Sequence, residues 1–276
     1  MLSRGLIAAI AIVSVGAVAK QTIAPAPIVK PAPAVTPVPA NFLAMKGYLP
    51  AGASPDSLAL NPPPPAPGSG AEARDIEASK AGLALRGTPR WDLARRDADL
   101  FSPSATSTFS CAAGINLGAK TTPKIEQLML RVARDLAMST SATKRKYMRQ
   151  RPFMVNGEPV CTPEHEKVLR SDGSYPSGHS AIGWGWGLIL AEVIPGRTTQ
   201  LVARGRAFGD SRRVCNVHWL VDVEEGRVDG SAVLARLASE PAFQADIAAA
   251  RAEATALAGK SNPAGCEAEA AALAVQ

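Results

Sequence analysis

In the stretch GSYPSGHSAIGW, residues 173–184, four turn-favouring residues run into an apolar segment, with His179 at the junction. A helix starting there points unpaired N–H groups and the positive end of its dipole at any nearby anion. Gly178 lets a ligand approach the backbone closely. A second stretch, KRKYMRQRPF, begins at Lys144. Lys144 and Arg151 are seven residues apart, two turns of a helix, so both can face one anion. Pro152 stops regular helix just after them. A third stretch, SRRVCNVHWLVD, carries Ser211, Arg212, His218 and Asp222. His218 and Asp222 are four apart, so on a helix the carboxylate reaches the imidazole and fixes its tautomer. The other ring nitrogen is then free to attack. Cations, a helix start and two histidines, one with a carboxylate partner, are what phosphate chemistry needs. Taken singly each piece is ordinary: a lysine and an arginine at helical spacing form a solvated face, and a histidine beside tryptophan is commonly a core residue. Their joint occurrence in this order carries the signal.

The elements that must hold these residues are helices. Ala71 to Leu85 has helical composition, and Thr88-Pro89 and Thr122-Pro123 are helix-start signals. Ile125, Leu128, Met129, Val132 and Leu136 form one amphipathic stripe. The run from Ser177 to Val193 is apolar nearly all round, which suits the centre of a bundle. Three more helices are expected over Thr198–Phe208, Cys215–Arg236 and Pro241–Ala258. Few stretches alternate with period two, so the predicted fold class is all-α.

The chain has 276 residues and a formal net charge of +6. Acidic residues interleave with basic ones, so the charge reads as a mild bias toward anionic substrates and gives no nucleic-acid patch. The N-terminus has Arg4, an apolar run from Gly5 to Ala19 and the small-x-small end Ala17-Val18-Ala19. This predicts a signal peptide over residues 1–19, cleaved after Ala19, and hence an exported protein, periplasmic or secreted, without stable membrane insertion. Residues 20–41 are proline-rich and read as an extended linker. The folded domain is predicted over 42–276. Four cysteines, Cys111, Cys161, Cys215 and Cys266, in an exported chain imply two disulfides with three possible connectivities. The third histidine, His165, lies among charges in PEHEK and reads as a surface residue. The histidines lack metal-type companions, so no metal site is expected.

In order, Lys144 with six residues before Arg151-Pro152, then Pro176-Ser177-Gly178-His179, then Ser211-Arg212 with five residues before His218 and three before Asp222, resemble the signature of the type 2 phosphatidic acid phosphatase and vanadium haloperoxidase superfamily. Within it, GSYPSGHSAIGW and GDSRRVCNVHWLVDVEEGR look like the bacterial class A nonspecific acid phosphatases, over about residues 42 to 260. The resemblance implies a single helical-bundle domain hydrolysing phosphate monoesters with broad specificity, with phosphotransfer to alcohols also open. It implies that His218 attacks phosphorus, that Asp222 orients His218, and that His179 protonates the leaving alcohol and then activates water. Lys144, Arg151 and Arg212 hold the phosphoryl oxygens, with Ser177 and Gly178 adding hydrogen bonds. Acid pH helps keep His179 protonated. No cofactor is required, because cationic side chains take the role of Mg²⁺, and phosphate or vanadate is expected in the site. Cys161 would pair with Cys215, leaving Cys111 with Cys266. Related enzymes often assemble, which leaves room for a homo-oligomer. A vanadate-dependent haloperoxidase and a lipid phosphatase are the alternatives within the superfamily.

Overall fold

A computed structural model describes residues 45–275. The segments read as signal peptide and linker lie outside the described residues. Among the described residues there are helices and loops and no strand, as the all-α reading expects. The longer helices are α1 (Gly70–Leu83), α2 (Pro89–Arg96), α3 (Pro123–Ser139), α4 (Ser141–Tyr147), α5 (Gly178–Val193), α6 (Thr198–Val214), α7 (Leu220–Leu237), α8 (Pro241–Leu257) and α9 (Cys266–Ala274). None is long and apolar enough to cross a membrane.

Helix α5 is the centre of the bundle. It packs against α3, α6, α7 and α8, and Trp186 on it is fully buried. The indole stacks edge-on against Phe109 and Phe208, with centroids 6.0 Å and 5.9 Å away. Its Nε1 donates to the Met129 carbonyl at 2.8 Å, so the one polar atom of that ring is satisfied. The α3 stripe of Ile125, Leu128, Met129, Val132 and Leu136 is wholly buried against this centre. Burial of each such side chain contributes about 1.5–3 kcal/mol. Glycines set how closely the helices approach. A Cβ at Gly187 would meet the Leu201 carbonyl at 2.8 Å, and one at Gly226 would collide with the Ser177 carbonyl. The second half of α5 is therefore pressed directly onto α6, and its start onto α7.

Three boundaries differ from the sequence expectation. Helix α6 does not stop at Phe208 but runs to Val214. The buried residues of its last two turns include Ser211 and Arg212, so no apolar period marks them. Helix α7 begins at Leu220 rather than Cys215. Cys215 closes α6, Asn216 takes the left-handed conformation at φ 61°, and the Val217 and His218 amides both turn back to the Arg212 carbonyl. Helix α4 ends at Tyr147, with Met148 left-handed at φ 40°. Lys144 and Arg151 therefore do not share a helix face: Arg151 is the N-cap of a separate short helix, Pro152–Asn156.

Two disulfides tie the loops down. Cys161 joins Cys215 with Cα atoms 4.7 Å apart, and Cys111 joins Cys266 at 5.4 Å, the pairing the resemblance implies. The first sits in a small apolar cluster with Phe153, Val160 and Val217 beneath the His218 segment. The second fastens α9, which packs on α2.

Candidate active site

The three motifs converge at the N-terminal end of α5. Ser177 caps that helix: its Oγ accepts from Ser180 N at 3.2 Å and from Ser180 Oγ at 2.9 Å. The Ser177 amide donates to the Asp222 carbonyl at 2.8 Å, so the second and third motifs are joined by backbone. Gly178 begins the helix, and a Cβ there would meet only Thr140 Oγ1 at 3.5 Å. The absent side chain is thus not a packing demand. It leaves the first amides of the helix open toward the cavity.

His218 is buried, and its neighbours fix its tautomer. Arg151 Nη1 lies 3.0 Å from Nε2, and a guanidinium can only donate, so Nε2 carries the lone pair. Nδ1 then holds the proton and faces Asp222 Oδ2 at 3.3 Å. The two residues do not lie on one helix, as their spacing predicts. His218 precedes α7, and Asp222 is in its first turn, where Oδ2 also accepts from the Trp219 amide at 2.8 Å. Asp222 Oδ1 accepts from Arg149 Nη1 at 2.8 Å. Burial pushes the Asp222 carboxyl upward, and Arg149 with the Trp219 N–H opposes that. The His218 pKa lies well below the usual value, first because the ring is buried, then because Arg151 and Lys144 repel its charged form.

His179 is held differently. Its Nε2 is 3.0 Å from the Ala98 carbonyl, an acceptor only, so Nε2 carries the proton and Nδ1 is the free nitrogen. Burial and then the Arg212 charge hold its pKa well below the usual range. His165, read as a surface residue, is half-buried, and burial followed by the Arg212 charge lowers its pKa. It belongs to the surroundings of the site.

The cations differ in how far they are committed. Arg151 is nearly saturated, giving Nε to the carbonyls of Leu169 and Asp172 and Nη2 to Asp172 Oδ2 at 3.0 Å. Lys144 Nζ reaches the Gly173 carbonyl at 2.5 Å, and burial pushes its pKa down to about 8. Arg212 is buried, yet its Nε and Nη1 have no hydrogen-bond partner among the described residues. Burial and then Arg151 push its pKa down to about 9. Unpaired buried guanidinium donors are costly, and an anion in the cavity would satisfy them.

The cavity has a volume of about 310 Å³. Lys144, Arg151, Asp172, His179 and His218 form its polar side, and Leu100, Phe101, Ala137, Leu169 and Ile182 form an apolar wall. Of the residues predicted for the site, Lys144, Arg151, Gly178, His179 and His218 line this cavity, while Ser177 caps the helix that Gly178 begins and Asp222 stands behind His218; Arg212 is not in the lining, but its charge acts on both histidines. Sequence reading missed Arg149, which bridges Asp222 and Asp75 and lies over the Trp219 ring. A signal existed in the chain itself: Arg149 stands two residues before Arg151, inside the first motif. Asp172 and Ala98 gave no such signal, because only the tertiary fold brings them in. Among the described residues no group of three His, Cys, Asp or Glu is placed to hold a metal.

Comparison with known proteins agrees with this geometry. Residues 128–240, which contain all three motifs, match the PAP2 superfamily. The chain is 39% identical over 198 residues to an acid phosphatase of Zymomonas mobilis, covering 72% of this chain and 75% of that protein. It is 39% identical over 207 residues to a non-specific acid phosphatase of Providencia stuartii, covering 75% and 84%. A non-specific acid phosphatase of Salmonella typhimurium is 40% identical over 196 residues, covering 70% and 77%. The chain belongs to the non-specific acid phosphatase family, of the bacterial class A type within the PAP2 superfamily, and is a phosphatase.

Proposed function

We propose that the protein is an exported acid phosphatase that hydrolyses phosphate monoesters with broad specificity through a phosphohistidine on His218. The observation that carries this reading is the His218 ring, with Nδ1–H on Asp222 and an unprotonated Nε2 among cations. In the first step Nε2 attacks phosphorus while the bond from phosphorus to the alcohol oxygen breaks. His179 gives a proton to the departing oxygen. Asp222 stabilises the charge that grows on the attacked ring. In the second step neutral His179 takes a proton from water, the hydroxide oxygen bonds to phosphorus, and the bond to Nε2 breaks. An alcohol in place of water gives phosphotransfer. Arg212, Arg151 and Lys144 hold the equatorial oxygens, the work a metal ion does at other phosphoryl-transfer sites, so no metal or cofactor is required. Vanadate would occupy the same place. Gly178 and the start of α5 add backbone donors, while Ser177 holds that start in place through its cap. The wall of Leu100, Phe101, Ala137, Leu169 and Ile182 accepts the alcohol mainly through apolar contact, with the Thr140 and Ser141 side chains also in the lining, which supports broad specificity. Residues 1–19 act as the export signal, and the two disulfides support an oxidising compartment.

The test uses p-nitrophenyl phosphate near pH 5–6, close to the histidine reference value, with and without EDTA. His218→Ala should lose activity by about 10⁴-fold or more, on the scale of losing the nucleophile in other covalent enzymes. His179→Ala should accumulate an acid-labile phosphoryl-enzyme after rapid quench. Turnover by His218→Ala within tenfold of wild type would sink the phosphohistidine route.

A further inference from the structure

One acidic side chain stands among the cations of the cavity, and the reaction above does not use it. Asp172 is half exposed, with a side-chain accessibility of 50%. Even so, its Oδ2 lies 3.0 Å from Arg151 Nη2 and 3.3 Å from Lys144 Nζ. Its backbone carbonyl accepts from Arg151 Nε at 3.1 Å, so the residue is fixed to the site through its main chain, while its carboxylate borders solvent. Two of the three cations assigned to the phosphoryl group therefore donate to one carboxylate. The third, Arg212, keeps Nε and Nη1 without partners. A carboxylate oxygen at these donors is the same kind of acceptor as a phosphoryl oxygen. The two anions repel each other, so they do not share the donors.

We propose that Asp172 is a tethered counter-anion of the phosphoryl site. It occupies Lys144 and Arg151 between turnovers, yields them to the phosphoryl dianion, and returns to them as inorganic phosphate departs. Arg212 is where the incoming phosphoryl group first finds open donors. The assignment rests on the phosphatase reading. It makes Asp172 a determinant of affinity for every phosphoryl ligand, product included. A residue that merely positions Lys144 and Arg151 would have the opposite effect, because its loss would weaken phosphate binding.

The test is inhibition by inorganic phosphate in Asp172→Asn and Asp172→Glu, with p-nitrophenyl phosphate as substrate. Asp172→Asn keeps the size and removes the charge, and should lower the inhibition constant for phosphate at least fivefold, with KM falling in parallel. Asp172→Glu keeps the charge and should stay within twofold of wild type. Asp172→Ser serves as a second neutral variant should Asp172→Asn not fold. A neutral variant whose inhibition constant is unchanged, or raised together with a lower kcat, overturns the proposal while leaving the phosphatase reading intact. A wild-type protein that neither hydrolyses the ester nor binds phosphate overturns both.

Discussion

Arg204 and Arg212 lie two turns apart on α6, and both are buried. Both feel the charge of Asp97, but only one of them pairs with it. Arg204 Nη1 and Nη2 grip the two oxygens of buried Asp97 at 3.1 Å and 2.5 Å. Its Nε donates to the Thr108 carbonyl at 3.2 Å and faces Glu269 Oε1 at 3.3 Å, and its plane lies over Phe109 and Phe208. The carboxylates outweigh burial and raise its pKa. Arg212 has burial without partners, and its pKa is pushed down. The contrast separates two uses of a buried guanidinium. With its donors matched it is scaffold, and with donors unmatched it is reserved for an anion from outside. The scaffold cluster also serves the other one. Asp97 accepts from the Ser211 hydroxyl at 2.6 Å, next to Arg212, and precedes Ala98, whose carbonyl holds His179.

The largest effect expected from this contrast is on stability. Arg204→Met leaves Asp97 buried with Ser211 as its remaining hydrogen-bond donor. The cost should be about 3–5 kcal/mol, typical of breaking a buried pair. At about 2–4 °C per kcal/mol, Tm should fall by roughly 10 °C in a thermal melt. Arg212→Met should do the reverse. It removes an unsatisfied charge, so Tm should hold or rise, while kcat/KM falls about 10²–10³-fold through loss of a donor to the transition state. Equal destabilisation by the two substitutions would break the comparison, because Arg212 would then be scaffold as well.

How much of this was legible in the sequence follows the same division. The working residues were readable because their chemistry is local: Lys144, Arg151, Ser177, Gly178, His179, Arg212, His218 and Asp222 fall in three short motifs. The central helix was readable because α5 is apolar nearly all round, and the α3 stripe because its period matches a helix. The scaffold cluster was not readable. Arg90, which donates to the Ser211 hydroxyl, and Asp97 lie on α2 and at its C-terminal cap, Arg204 on α6 and Glu269 on α9, and a buried polar network drawn from three elements leaves no periodic trace. That same polarity hid the last two turns of α6, and the left-handed Asn216 hid the break before α7. The carboxylate–histidine pair was found for a spacing reason that does not hold. Asp222 reaches His218 from the first turn of a helix that the histidine precedes, where it also caps the Trp219 amide.

The smallest expected effect concerns acid. His179 and His218 both lie well below the ordinary value of 6.5, through burial first and then through Arg212 for His179 and Arg151 for His218. Low pH alone is therefore a weak way to charge His179. A bound phosphoryl dianion offsets the arginine fields and makes that protonation easier, whereas His218 gains from its low value by staying a free nucleophile in acid. The linkage has a definite sign. A histidine whose folded pKa is depressed takes up its proton later than the unfolded chain does, so its contribution to stability is full above about 6.5 and is lost as pH falls below it. Asp229 acts in the opposite sense: burial raises its carboxyl to about 7, and it gains stability as pH falls through that value. The histidine part is isolated by comparing wild type with a variant carrying His179→Gln and His218→Gln. Between pH 7.5 and 5, wild-type Tm should fall by several degrees more than that of the double variant, and added phosphate should reduce the difference. Parallel curves for the two proteins would mean that the charged histidines are accommodated without the ligand, and that Arg212 is not waiting for an anion.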